Sequence, residues 1–371
     1  MLDFTSSSYL GMDHAMAALQ PWSRLSSGRP VALGMPKLER RVAGELAELV
    51  GSPGALLGPS TLHLFWDLFG LLATTRVAIY LDAGAYPIAR WGVERARVSG
   101  ALVRVFRHHD PASLEQRLAR DEHLLRRPIV VTDGLCPGCG TVAPLPEYHD
   151  LSRRAGGRLI IDDTQALGLL GRDPSPDRRP YGAGGGGSIR FCGVSGPEVI
   201  VISSLAKGFG VPVAMIAGSR ELIAWFERKS ETRVHCSAPS RASLQGARHA
   251  LSVNRADGEA RRSYLVSLVR HFRRRLGSVG VGVGPGLLPV QTLVLKPEGF
   301  ALAVQRLLLE RGVRAVLQKG RCGAGPQITF LITAQHWAGD IDRAVRLLAD
   351  ALKQACTQTQ PAETAHAYAP L

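Results

Sequence analysis

Between residues 54 and 204 the chain repeats one unit, a short apolar run followed by a longer segment with helical spacing. The runs are GALLG (54–58), RVAIYLD (76–82), ALVRVFRH (101–108), RPIVVTDG (127–134), RLIIDD (158–163) and EVIVISS (198–204). Between them, STLHLFWDLFGLLATT, IARWGVERARVSG, PASLEQRLAR and LPEYHDLSRRAG place apolar residues three and four apart. Apolar strands joined by helices predict a parallel sheet covered on both faces, an α/β fold. PKLERRVAGELAELV (36–50) predicts a preceding helix, with Pro36 at its start and Gly51 past its end.

After about residue 240 the pattern becomes helical, and QTLVLK (291–296) and QITFLITA (327–334) read as further strands. The expected organisation is an N-terminal arm (1–35), a large α/β domain (36–240) and a smaller α+β domain (241–356). A tail (357–371) and the segment GRDPSPDRRPYGAGGGGS (171–188) are expected to be mobile.

No run of 18 uncharged apolar residues predicts a membrane span, and the first residues lack the pattern of a secretory signal. Six cysteines in 371 residues do not form a disulfide framework, which points to a reducing cytoplasm. The formal net charge is +14, which suits acidic partners such as CoA phosphates or an acyl carrier protein. No helix-turn-helix, zinc-finger or RNA-binding aromatic pattern supports a nucleic-acid partner.

Three features stand at the ends of the apolar runs. Ser60 and Thr61 lie between a strand and a helix, where hydroxyls and helix N–H groups suit a phosphate. Asp162 ends LIID, where a buried carboxylate needs a cation. Lys207, in SSLAKGFG, follows a β-rich run and is either an ion-pair partner or a nucleophile. Each alone has a structural reading. Together they fit pyridoxal phosphate (PLP), which needs a lysine, an anion site and a carboxylate opposite its ring nitrogen. Alternation along the strand sends Asp163 to the other side, leaving Asp162 as the better candidate.

Several segments then carry a family resemblance. LDFTSSSYLGM, LERRVAGELAELVG, TDGLCPGCGTVAPLPE, DDTQALGLLG, SSLAKGFGVPVAMIAGS and TAQHWAGDIDRAVRLL together resemble the α-oxoamine synthases, the family of 8-amino-7-oxononanoate synthase and serine palmitoyltransferase. The resemblance runs over nearly the whole chain. It implies a fold-type I PLP-dependent transferase and a homodimer with shared active sites. It implies condensation of an amino acid with an acyl thioester, from acyl-CoA or an acyl carrier protein, with decarboxylation.

Position by position, the resemblance makes Lys207 the Schiff-base lysine and Asp162 the partner of the pyridine nitrogen. Tyr86 replaces a histidine that stacks on the ring, and Asp133 matches an acidic residue beside it. Ser204, Ser60 and Thr61 reach the phosphate, as does Ser237 toward the neighbouring subunit. The chain also departs from the family. Gln165 stands for a histidine of the catalytic site, Ser7 for an asparagine, and Gln327 and Thr329 for arginines of the strand that grips the substrate carboxylate. Arg24, Arg29 and Arg321 are candidate substitute anchors. These departures keep open an aminotransferase or other fold-type I reaction on an atypical amine, and a non-catalytic scaffold.

The remaining motifs have plainer readings. Cys136-Pro-Gly-Cys139 lacks the second pair of a zinc site. His108-His109 reads as surface loop, and AGGGGS (183–188) as a flexible loop rather than a dinucleotide fingerprint. RHFRRR (270–275) reads as a solvated helix face, with carrier-protein docking as the alternative.

Overall fold

The computed structural model describes residues 1–74, 76–282, 286–320 and 325–358. The strands in chain order are β1 (Leu2–Asp3), β2 (Gly54–Gly58), β3 (Val77–Asp82), β4 (Leu102–Phe106), β5 (Arg127–Asp133), β6 (Arg158–Asp162), β7 (Val199–Ser204), β8 (Ala214–Gly218), β9 (Val290–Val294), β10 (Val313–Arg314), β11 (Val316–Lys319) and β12 (Pro326–Leu331). The helices are α1 (Lys37–Val50), α2 (Thr61–Leu72), α3 (Pro87–Val98), α4 (Pro111–Asp121), α5 (Leu145–Arg154), α6 (Ser188–Cys192), α7 (Arg220–Lys229), α8 (Glu231–His235), α9 (Arg241–Ser278), α10 (Glu298–Glu310) and α11 (Ala338–Gln358).

The chain divides into two compact units. One comprises Met12–Cys136 and Val142–Gly258; the other comprises Met1–Gly11, Pro137–Thr141 and the chain from Glu259 onward. The division falls inside α9, at Gly258, rather than at residue 240 where the pattern changes. The first eleven residues fall in the second unit because β1 pairs in parallel with β10, more than 300 residues away.

The larger unit holds a seven-stranded sheet of order β2-β8-β7-β6-β5-β3-β4. Strands β3 to β7 are parallel, as the alternating pattern predicts. The all-parallel expectation needs one correction. β8 runs antiparallel to both β7 and β2, because the chain reverses directly after β7 in the turn that carries Lys207.

Alternate side chains divide two cores. Ile79, Val131, Ile160, Ile200 and Ile202 face one side with Phe65 and Phe69 of α2 and Val93 of α3. Tyr80, Val130, Leu159, Ile161 and Val201 face the other side with Leu114 of α4, Tyr148 of α5 and Ile189 of α6. Each such fully buried side chain contributes about 1.5–3 kcal/mol.

The segment 171–188, expected to be mobile, is stitched together. Arg172 and Ala183 exchange both backbone hydrogen bonds, and so do Ser175 and Arg179. Gly187 N–H bonds Leu170 O at 2.8 Å. The glycines serve close backbone approach here, not looseness.

The smaller unit contains the antiparallel sheet β11-β12-β9. Phe4, Phe272 and Phe330 pack in its core, with ring centroids 5.4 and 5.2 Å apart across Phe330. No helix among the described residues is long and apolar enough to cross a membrane.

Candidate active site at the carboxyl edge of the large sheet

Strand parity places the site residues. Asp162 continues the side of Ile160, Asp133 the side of Val131 and Ser204 the side of Ile202, so all three share the α2–α3 side of the sheet. Asp133 and Asp162 are direct neighbours across β5 and β6. Ser204 pairs with Ala214, which is level with Gly58 at the end of β2. Helix α2 begins two residues beyond Pro59, so its N-terminus lies at this same edge.

Asp162 is 6% exposed. Its Oδ1 accepts the Thr164 N–H at 3.1 Å. Burial raises its carboxyl above the ordinary carboxylate range, opposed by hydrogen bonds from Thr164 and by the charge of Lys207. Burial lowers the Lys207 ammonium, opposed by the charge of Asp162. Each is the other's counter-charge in a poorly hydrated site.

The turn that carries Lys207 leans on the loop that follows Asp162. A Cβ on Gly208 would collide with Leu167 O. Ser204 N–H bonds Thr164 Oγ1 at 3.1 Å, and Ser204 Oγ accepts the Ala206 N–H at 3.2 Å. Gln165, in the same loop, is buried.

Asp133 Oδ1 accepts the Tyr86 N–H at 3.1 Å, so β5 holds the start of α3. Tyr86 is half-buried at that helix N-terminus. At α2, Ser60 turns its hydroxyl to His63 Nδ1 at 2.8 Å and does not cap the helix. The first-turn N–H groups of this helix therefore receive no side-chain cap from Ser60, and such a terminus suits an anion.

These observations fit PLP. A buried carboxylate and a half-buried lysine stand at one edge, and an N-terminus suited to phosphate lies on the same edge. Ser237 is exposed and bridges Pro30. Ser7 and Gln327 belong to the smaller unit, where Gln327 is buried on β12. Arg321 lies outside the described residues.

Sequence reasoning missed several groups. Asp82, at the end of β3, shares the parity of Tyr80 and faces the opposite side of the sheet. It accepts from Gly84 N–H at 2.6 Å and from His109 N–H at 3.2 Å, and meets His108 Nδ1 at 2.6 Å. His108 is thus a partner of a buried carboxylate and not a surface-loop residue. The signal was present as a second strand-terminal Asp followed by a histidine pair. Thr164 and His63 were also missed; both lie within three residues of a candidate.

In RHFRRR, Arg273 bonds Gln291 Oε1 at 3.1 Å, and His271 and Arg275 share Asp342 at 2.9 and 2.8 Å. Much of this run is occupied within its own unit.

Comparison with known proteins agrees with the geometry. The model of the family "Aminotransferase class I and II" matches residues 3–348. An 8-amino-7-oxononanoate synthase of Methylococcus capsulatus is 30% identical over 363 residues, covering 95% of this chain and 89% of that protein. A serine palmitoyltransferase of S. paucimobilis, solved with bound PLP–myriocin, superposes with a TM-score of 0.82 at 18% identity, over 96% of this chain and 88% of the other. The 8-amino-7-oxononanoate synthase of Francisella tularensis gives 0.74 at 16% identity, over 95% and 98%. The chain belongs to the aminotransferase class I and II family, among its α-oxoamine synthases.

Proposed function

We propose that this protein is a PLP-dependent C-acyltransferase that joins an amino acid to an acyl thioester. The carrying observation is geometric: buried Asp162 ends β6, and Lys207 follows the neighbouring strand β7 at the same edge of the sheet, near enough for each charge to favour the other. A new bond forms between the donor's α-carbon and the thioester carbonyl carbon. The carbon–sulfur bond breaks, the thiol leaves, and the donor carboxylate departs as carbon dioxide. Bound PLP supplies an electron sink for the α-carbanion.

Lys207 would hold the cofactor through Nζ and would carry the α-proton on that same atom. Its lowered proton affinity suits a base. Asp162 would keep the proton on the ring nitrogen of bound PLP. Ser60, Thr61 and Ser204 bind the phosphate together with the first-turn N–H groups of α2. Tyr86 would stack on the ring of bound PLP, and Gln165 would offer it a hydrogen bond without titrating.

The donor is altered in this reading. Gln327 and Thr329 are neutral where the family strand grips a carboxylate. Thr329 Oγ1 takes the Gln318 amide at 3.0 Å and lies 3.1 Å from Thr292 Oγ1. Gln327 Oε1 is buried without a hydrogen-bond partner among the described residues.

The enzyme acts as a cytoplasmic homodimer, with Ser237 completing the neighbouring phosphate site. Exposed Leu33, Leu62, Trp66, Trp91 and Val234 support an interface over the start of α2, α3 and α8. The acyl donor is acyl-CoA or an acyl carrier protein, which the charge of +14 suits.

Loaded protein given donors labelled at the carboxyl carbon should release labelled carbon dioxide only when a thioester is present. Formation of the pyridoxamine form of the cofactor, with no carbon dioxide, would favour transamination instead.

A further inference from the structure

His14 lies in the arm, far in sequence from Lys207, yet it meets the turn that carries Lys207. Its Nε2 is 2.7 Å from Phe209 O, and its Nδ1 is 2.9 Å from His249 Nδ1 in α9. A carbonyl only accepts, so Nε2 carries a proton. One further proton lies between the two Nδ1 atoms. The rings stand edge to face, with centroids 5.2 Å apart. Phe209 is fully buried. Gly210 takes φ +65°, and a Cβ there would meet Met12 O at 2.9 Å. The turn is therefore wedged between the loop after Asp162 and the arm.

We propose that His14 is a positioning residue for Lys207: its Nε2–H clamps the Phe209 carbonyl, and His249 fixes the tautomer of His14. The role rests on the reading of Lys207 above, while the clamp itself is testable on the cofactor-free chain. Burial and the neighbouring His14 both lower the His249 imidazolium, consistent with a pair that carries at most one positive charge in this arrangement.

The test combines three measurements. In nitrogen-15 spectra of the histidine-labelled wild-type chain, His14 should be protonated at Nε2; a spectrum with the proton only at Nδ1 overturns the clamp. In His14→Phe, amide exchange at Ala206, Val211 and Val213 should rise about fivefold, the scale of one net hydrogen bond, and His14→Gln should restore it. Unchanged exchange in His14→Phe, or no recovery in His14→Gln, overturns the proposal. In PLP-loaded protein, the pH at which the visible absorbance titrates should shift in His14→Phe and return in His14→Gln; an unshifted titration overturns the link to Lys207. If His14→Phe does not fold, the wild-type spectrum still decides the clamp. If the chain binds no PLP, the functional reading fails, and exchange still tests the clamp.

Discussion

Asp162 and Asp163 are adjacent in the chain and serve opposite sides of the same sheet. Asp162 accepts from Thr164 and faces the charge of Lys207. Asp163 accepts the Ser188 N–H at 2.9 Å and the Ser188 hydroxyl. One carboxylate stands with Lys207 at the carboxyl edge of the sheet, and the other ties α6 to the end of β6.

That division gives a pH prediction. Burial pushes the Asp163 carboxyl up to about 7 from its ordinary 3.8. The folded chain therefore holds this proton where the unfolded chain has released it. The contribution of Asp163 to stability is full below pH 3.8 and falls as pH rises toward 7. Asp163→Asn, which mimics the neutral acid, should flatten that part of the curve. Urea unfolding of both proteins across the range checks it; parallel curves would contradict it.

Gly187 is required where it stands. It has φ +90°, and a Cβ would collide with Asp163 Oδ2. Gly187→Ala should destabilise the larger unit by about 2 kcal/mol or more. A Tm equal to that of wild type would show that the loop relaxes freely.

Lys207 should be the point of covalent attachment. Borohydride reduction of loaded protein should fix the cofactor on the peptide containing Lys207, and Lys207→Ala should retain none of it. Asp162→Asn should still attach the cofactor yet lose roughly a hundredfold or more in turnover, because the ring nitrogen no longer keeps its proton. Attachment at another lysine would refute the assignment.

The exposed aromatic face makes a prediction about assembly. Trp91→Glu should shift sedimentation from dimer toward monomer and reduce activity with it. A wild-type sedimentation profile would remove this face from the interface.

Much of the fold is legible in the sequence because the strands are short, apolar and bounded by turn residues. GALLG begins and ends on glycine and is β2 from end to end. The reversal into β8 was not legible. AMIAG is as apolar as the parallel strands, and direction depends on the Lys207 turn rather than on composition. The pairing of β1 with β10 carries no local signal. The glycine run reads as flexible in the sequence because close approach and flexibility select the same residue. The shared edge of Asp162, Lys207 and the start of α2 is legible because charges and hydroxyls stand out at the ends of apolar strands, and parallel strands bring those ends together. Asp82 is not legible because its partners, His108 and the turn N–H groups, become neighbours only when β3 and β4 pair.

The decisive measurement for acyl transfer is free-thiol release by the PLP-loaded protein, with acyl thioesters offered alongside amino acids. Release should require an amino donor and be abolished in Lys207→Ala. Absence of release with both CoA and carrier-protein thioesters, while the cofactor spectrum still responds to an amine, would contradict acyl transfer.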